Sequence, residues 1–110
     1  MGTLIYDSVE PPITIDDRTL SHLKVVILSK LRRGESFSVS WRHGDAPDAG
    51  RSTIWVNQSI PLRFIFDETE APELNQAWLS ALAQSANELG GIHLSPEEVG
   101  GGELTTPARA

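Results

Sequence analysis

The stretch from Asp17 to Gly34 reads DRTLSHLKVVILSKLRRG, and it contains a helix start signal, an apolar middle and a helix stop signal in that order. The carboxylate of Asp16 or Asp17 can accept a hydrogen bond from the free amides of a first turn, where it also faces the positive end of the helix dipole. Gly34 suits the left-handed conformation in which many helices end. The stretch therefore predicts a central helix.

The apolar residues of this helix occupy more than one face. At about 100° per residue, one set forms the stripe that we expect to face a sheet, namely Leu20, Leu23, Ile27 and Leu31. Val25, Val26 and Leu28 lie off that stripe. Because a chain of 110 residues has little material with which to bury a helix on all sides, we expect Val25 and Leu28 to meet a second helix or another subunit.

Short alternating or apolar runs predict the strands. Residues 2–6 and 13–15, separated by Pro11 and Pro12, predict two strands that lead into the helix. Residues 37–42 alternate most clearly, and residues 52–56 and 62–66 predict two further strands. A second helix is expected from Glu73 to about Leu89, with Pro72 at its first turn and Gly90 after its end. Residues 92–94 either add a short edge strand or pack back against the domain.

The element order β-β-α-β-β-β-α predicts an α+β fold with two layers. We expect one antiparallel sheet of about five strands, with both helices on one face of it. The short connections favour a single domain over residues 1–95. Residues 96–110, which are acidic and glycine-rich, predict a flexible tail.

Composition excludes several classes of protein. The chain has no cysteine, so a disulfide framework, a thiolate metal site and a cysteine nucleophile are impossible. Neither a secretory leader nor an apolar run of about 20 residues is present, and we expect a soluble cytoplasmic protein with no membrane partner. The net charge of −6 argues against indiscriminate nucleic-acid binding, although residues 18–66 hold eight basic residues against three acidic ones.

The least ordinary feature is the sheet face that the helices would leave uncovered. Together with Val25 and Leu28 of the central helix, this face gives a candidate interaction surface: Arg42, Arg51, Trp55, Arg63, Ile65, Val25 and Leu28. Tryptophan and arginine are enriched at protein interfaces, which favours a homodimer contact or a protein partner. Arginines interleaved with an exposed aromatic residue also suit single-stranded nucleic acid. An ordinary solvated sheet face is the third interpretation.

Catalytic and metal-binding signals are weak. His43, Asp45 and Asp48 share a glycine-rich loop but have no recognised ligand spacing, so we predict neither a metal nor another cofactor. His22 is expected to be exposed near the start of the central helix, and His93 has no assignment. The sequence contains no nucleophile elbow, P-loop, dinucleotide fingerprint or zinc-protease motif. No catalytic residue is predicted.

Several segments resemble a family of small actinobacterial proteins of unknown function whose members often carry the label ATP-dependent DNA ligase. The resemblance covers roughly residues 1–95 and rests on the segments MGTLIY at 1–6, SKLRRGESF at 29–37, GRSTIW at 50–55, SIPL at 59–62 and NQAW at 75–78. It implies a small domain without catalytic residues of its own.

The ligase label finds no motif in this sequence. A DNA ligase adenylates the lysine of a Lys-x-Asp-Gly motif, whereas the nearest match here, KLRRG at 30–34, lacks the aspartate and lies in the predicted helix. We therefore predict a non-enzymatic domain that acts by self-association or by binding another protein. The alternative is an accessory nucleic-acid-binding protein that uses the outer sheet face.

Overall fold

The computed structural model describes residues 1–44 and 46–95. The chain forms an α+β fold, which confirms the predicted class and the predicted order of the first seven elements; an eighth element, a short strand, follows the second helix. The predicted tail at 96–110 lies outside the described residues. The elements are β1 (Gly2–Tyr6), β2 (Ile13–Ile15), α1 (Asp17–Arg32), β3 (Phe37–Arg42), β4 (Arg51–Val56), β5 (Leu62–Ile65), α2 (Gln76–Leu89) and β6 (Gly91–His93).

The strands form two three-stranded sheets, where the sequence predicted one sheet of about five strands. The first has the order β2-β1-β5 with antiparallel pairs, and the second has the order β4-β3-β6. In the second sheet β4 is antiparallel to β3 while β6 is parallel to it. The sheets separate after β4, because the backbone N–H of Asp7 donates to the carbonyl of Pro61 at 2.9 Å and β5 then pairs with β1 rather than with β4.

Helix α1 begins and ends where its sequence signals predict. The Asp16 carboxylate accepts a hydrogen bond from the backbone N–H of Thr19 at 3.0 Å, which caps the first turn. Gly34 follows the helix with a φ of 76°, a conformation that glycine adopts without strain. The side chains of Leu20, Leu23 and Ile27 are buried, as the apolar stripe predicts.

Helix α2 begins three residues later than predicted. Asn75 is its N-cap, and its side-chain oxygen accepts from the backbone N–H of Trp78 at 3.2 Å. The predicted start near Pro72 is therefore wrong, because the asparagine side chain offers a better cap than the preceding residues do. As a result Leu74 lies before the helix and is 36% exposed.

The hydrophobic core combines residues of both sheets and both helices. Strand β6 is short, yet its parallel pairing with β3 leaves Ile92 fully buried. The buried apolar side chains are Leu4, Ile15, Leu20, Leu23, Val26, Ile27, Phe37, Val39, Val56, Trp78, Leu82, Ala86 and Ile92. The helices thus cover one face of each sheet, which leaves the opposite faces available to solvent or to a partner.

Candidate binding surfaces

Six residues of β3 and β4 lie together on the side of the second sheet that faces away from the core. Residues directly opposite each other in an antiparallel pair share one face of the sheet. The register pairs Arg42 with Arg51, Ser40 with Thr53, and Ser38 with Trp55. We call these six residues the hairpin face.

The alternation of the two strands separates this face from the core. Val39 and Val56 on the inner side are buried, whereas Arg51, Thr53 and Trp55 on the outer side are exposed. Trp55 is 52% exposed, which is unusual for so large an apolar side chain. An exposed indole on a sheet face is available for contact with a partner.

The polar groups of the hairpin face differ in how they are paired. The hydroxyls of Ser40 and Thr53 are hydrogen-bonded to each other at 2.9 Å. The Arg42 guanidinium donates to the carbonyl of Ala46 at 3.5 Å, the long limit of a hydrogen bond. Within the described part of the chain, the Arg51 guanidinium makes no hydrogen bond or ion pair. Arg42 and Arg51 therefore face each other with little compensation of their positive charges.

Arg63 and Ile65 lie on the other sheet. They belong to β5, opposite Ile5 and Thr3 of β1, and both are exposed. The two sheets are connected at this side by the Tyr6 hydroxyl, which donates to the backbone carbonyl of Trp55 at 2.6 Å. The sequence grouped Arg63 and Ile65 with the hairpin residues, whereas they occupy a different sheet.

Val25 and Leu28 form part of a separate surface on α1. The helix turns Leu23 and Ile27 into the core, so that Val25 is half-buried and Leu28 is 37% exposed on the outward side. At the helical period these two residues line up with Arg32, which is also exposed. We call Val25, Leu28 and Arg32 the helix surface. The predicted interaction surface thus divides into two surfaces.

Two grooves flank Val25 on this helix. A groove of about 620 Å³ lies between α1 and the segment 66–74, and Phe66, Leu74, Glu68 and Glu70 contribute to its lining. A smaller groove of about 270 Å³ lies between α1 and α2, where Leu79 and Ala83 face Val25. The helix surface is therefore a ridge between two depressions, a shape that can interlock with another helix.

His22 is fully buried, so the expectation that it is exposed is wrong. Its Nε2 accepts a hydrogen bond from the backbone N–H of Asn75 at 2.9 Å, and its Nδ1 lies 2.7 Å from the carbonyl of Arg18. Since Nε2 accepts, the proton is on Nδ1 and the ring is neutral. The ring also contacts Trp78, with centroids 4.5 Å apart. One feature of the sequence indicated that His22 is buried: it lies four residues before Val26, so both residues share the helix face toward α2.

Lys30 is the second buried polar residue that the sequence did not identify. It is 5% exposed, and its Nζ lies 2.8 Å from a carboxylate oxygen of Glu35. The hydrogen bond from Lys30, followed by that from Arg33 at 2.9 Å, lowers the pKa of Glu35. This is the lysine of the nearest match to a ligase motif. Its burial and its ion pair give it a structural role.

The described residues contain no group of three or more histidine, cysteine, aspartate or glutamate side chains that could hold a metal ion. His43 of the glycine-rich loop instead shares a hydrogen bond of 2.7 Å between its Nε2 and the Ser52 hydroxyl. Asp45, which the sequence placed in the same loop, lies outside the described residues. None of the helices described is long and apolar enough to cross a membrane.

Comparison with known proteins identifies a domain family. A family model described as Domain of unknown function (DUF7882) matches residues 1–97. No curated protein and no solved structure matches the chain. The chain is thus similar over most of its 110 residues to a family without an established activity, and no enzyme family is indicated.

Proposed function

Because the chain belongs to the DUF7882 family of domains of unknown function, we propose that it is a non-enzymatic binding domain whose partner is a second copy of itself, bound through the helix surface. The observation that carries this proposal is the outward position of Leu28 beside Val25 on a helix that is otherwise packed into the core. Burying apolar side chains at an interface contributes about 25 cal/mol per Å² of apolar area.

Charge favours a second copy in the antiparallel orientation. The groove near the N-terminal end of α1 is lined by three acidic residues, Asp17, Glu68 and Glu70, and by two basic ones, Arg18 and Lys24, whereas the exposed Arg32 lies near the C-terminal end. A two-fold axis near Val25 would bring Arg32 of each copy close to Glu68 and Glu70 of the other, since residues 18 and 32 lie about equally far from residue 25 along the helix. Antiparallel helix dipoles also attract each other.

The arrangement explains two features of the surface. Arg32 has no ion pair among the residues that the structure describes, and a second copy would supply one. The ridge of one copy would enter a groove of the other, because each helix presents a ridge and a depression side by side. Both features support an isologous dimer.

Light scattering of the full chain over a dilution series tests the proposal. We expect the mass of a dimer at high concentration and that of a monomer on dilution. Leu28→Glu should shift the midpoint of dimer dissociation at least tenfold toward higher protein concentration, because it places a charge in the apolar centre of the interface. Arg32→Glu should weaken the dimer too, and adding Glu70→Arg should restore part of the affinity.

Trp55→Ala is the matched control, since it removes an exposed apolar side chain from the other surface. It should leave the dimer unchanged, and circular dichroism would verify that each variant is folded. A wild-type chain that stays monomeric at every concentration would overturn the proposal. Equal weakening by Leu28→Glu and Trp55→Ala would also contradict it, because the interface would then not be the helix surface.

We further propose the cytoplasm as the compartment, since a chain without cysteine gains nothing from an oxidising environment. The resemblance to small actinobacterial proteins labelled as DNA ligases stays a prediction. The burial of Lys30 supports a non-enzymatic interpretation of that label, because an adenylated lysine has to reach its nucleotide.

A further inference from the structure

We propose that the hairpin face binds single-stranded nucleic acid, with a phosphate between Arg42 and Arg51 and a base stacked on Trp55. This site lies on the opposite side of the sheet from the helices, so it is independent of the proposed dimer. The partner class follows from three groups on one surface: a guanidinium pair, a hydroxyl pair and an exposed indole.

The guanidinium pair indicates an anionic ligand. Arg42 and Arg51 are directly opposite each other across the two strands, where like charges repel. Neither makes an ion pair with any carboxylate in the described part of the chain. A phosphate group between them would accept hydrogen bonds from both and remove the repulsion. The pair is therefore arranged as an anion site.

The indole indicates a ligand that also has a planar, apolar part. Trp55 lies four residues beyond Arg51 on the same face of β4, about 13 Å away at the rise of an extended strand. The hydroxyls of Ser40 and Thr53 lie between them and can contact a sugar or a phosphate. A polymer that carries anionic groups along its backbone and flat rings beside it matches this order of groups.

Other partners match the surface less well. An acidic polypeptide would neutralise the arginines, but it would leave the ring of Trp55 without a stacking partner. A second copy that used the same face would bring Arg42 and Arg51 of both copies together. Duplex DNA presents its bases edge-on in the grooves, whereas a single strand exposes their faces for stacking. Single-stranded nucleic acid is the ligand class that uses all three groups.

The single phosphate held by the hairpin face sets the expected salt dependence. One phosphate between Arg42 and Arg51 predicts a slope of about −0.7 for the logarithm of the binding constant against the logarithm of the salt concentration. Because the chain has a net charge of −6, affinity should be measured at low salt, and it should fall as salt is added. Removing either arginine should bring the slope closer to zero, because the phosphate then keeps only one charged partner.

Fluorescence anisotropy with the full chain and a labelled eight-nucleotide oligothymidylate tests the proposal. Trp55→Ala should weaken binding roughly tenfold or more, because one base loses its stacking partner. Arg51→Ala should weaken it and flatten the salt dependence. Arg63→Ala is the matched control, since it removes the same charge from the other sheet, and it should leave both quantities nearly unchanged.

Four results would overturn the proposal. They are no binding by the folded wild-type chain at low salt, equal losses for Arg51→Ala and Arg63→Ala, no loss for Trp55→Ala, and binding of a polyglutamate peptide but not of the oligonucleotide. The last result would assign the surface to an acidic protein. Failure here would leave the dimer proposal intact, because Leu28 and the hairpin face are on different surfaces.

Discussion

At the scale of single residues, two buried polar side chains, those of His22 and Lys30, connect elements of this protein. His22 joins α1 to the beginning of α2, because it bonds the carbonyl of Arg18 on one side and the N–H of Asn75 on the other. Lys30 joins the end of α1 to Glu35 at the approach to β3. Since a buried polar group without a partner is costly, each of these side chains fixes the position of a neighbouring element.

We expect His22→Phe to lower the free energy of unfolding by about 1 to 3 kcal/mol, because it removes both hydrogen bonds of the buried ring, the one with the carbonyl of Arg18 and the one from the N–H of Asn75. The ring volume is largely kept, so loss of packing contributes little. Urea unfolding at constant pH measures the change. His93→Phe is the control, since His93 is exposed, and it should change stability by less than about 0.5 kcal/mol. Equal losses for the two variants would contradict the role of His22.

Glu35 predicts a particular pH dependence. Its pKa is lowered from the ordinary value of 4.5 in the folded protein, first by the hydrogen bond from Lys30 and then by that from Arg33. A lowered folded-state pKa means that the ion pair stabilises the fold above the ordinary pKa, and that this contribution disappears as the pH falls through the lowered pKa. Glu35→Gln should therefore melt below wild type at neutral pH.

The difference in melting temperature should narrow as the pH drops below about 4.5, because protonated wild-type Glu35 then resembles glutamine. Thermal denaturation followed by circular dichroism from pH 7 to pH 3 measures it. Glu10→Gln, at an exposed position, should follow the wild-type curve throughout. A difference between Glu35→Gln and wild type that stays constant with pH would contradict the assignment.

At the scale of elements, the sequence predicts most of the strands and helices but not how the strands associate. The period-two pattern of β3 and the cap signals of α1 are local, and the structure has both where they were expected. The division into two sheets depends on Asp7 and Pro61, 54 residues apart, which meet only after folding. The burial of His22 likewise depends on a distant residue, Asn75, whose backbone N–H donates to its ring. The N-cap at Asn75 is instead a local signal that the prediction of α2 missed.

The position of β6 depends on a close approach of backbones. A Cβ added to Gly91 would meet the Oγ of Ser38 and would lie 2.9 Å from the carbonyl oxygen of Ser38. The hydroxyl can rotate away, but the backbone carbonyl of β3 cannot. Gly91→Ala should therefore destabilise the protein by about 1 to 3 kcal/mol, through displacement of β6 from β3.

Hydrogen exchange would locate this effect, since the amides of residues 91–93 should lose protection before those of β4. Gly44→Ala is the control, because its added Cβ would make only an ordinary contact of 3.9 Å with Ala49. Its effect on unfolding by urea should be near zero. A Gly91→Ala variant as stable as Gly44→Ala would contradict a steric role for Gly91.

At the scale of the whole molecule, the helix surface and the hairpin face are separated by the core. The sequence predicted Arg42, Arg51 and Trp55 of the hairpin face and Val25 and Leu28 of the helix surface, because exposed apolar and basic positions follow from the helical and strand periods. Arg32 was not among the predicted residues. It could not assign them to separate surfaces, since that depends on which face of each sheet the helices cover. The separation allows one surface to bind a second copy while the other binds a different ligand.

The two proposals together predict an effect of oligonucleotide length. A dimer joined at the helix surfaces would present two hairpin faces to one long strand, and binding of the second would be intramolecular. Wild type should therefore bind a 60-nucleotide strand at least tenfold more tightly than an eight-nucleotide one. Leu28→Glu should lose most of this gain but keep its affinity for the short strand, as measured by anisotropy.

Trp55→Ala should instead weaken both lengths, which makes it the matched comparison. A gain with length that persists unchanged in monomeric Leu28→Glu would mean that the long strand merely offers more sites. That result would separate the dimer from the ligand site. Each surface would then act alone.

The hydrogen bond from Tyr6 to the carbonyl of Trp55 limits aggregation through the exposed edge of the second sheet. Strand β4 is the outer strand of its sheet, and its sequence, RSTIWV, is rich in residues that favour extended structure. A free backbone carbonyl on such an edge can recruit a strand from another molecule and begin an aggregate. Because the Tyr6 hydroxyl already occupies this acceptor, one phenol limits sheet extension next to the most exposed aromatic ring of the hairpin face.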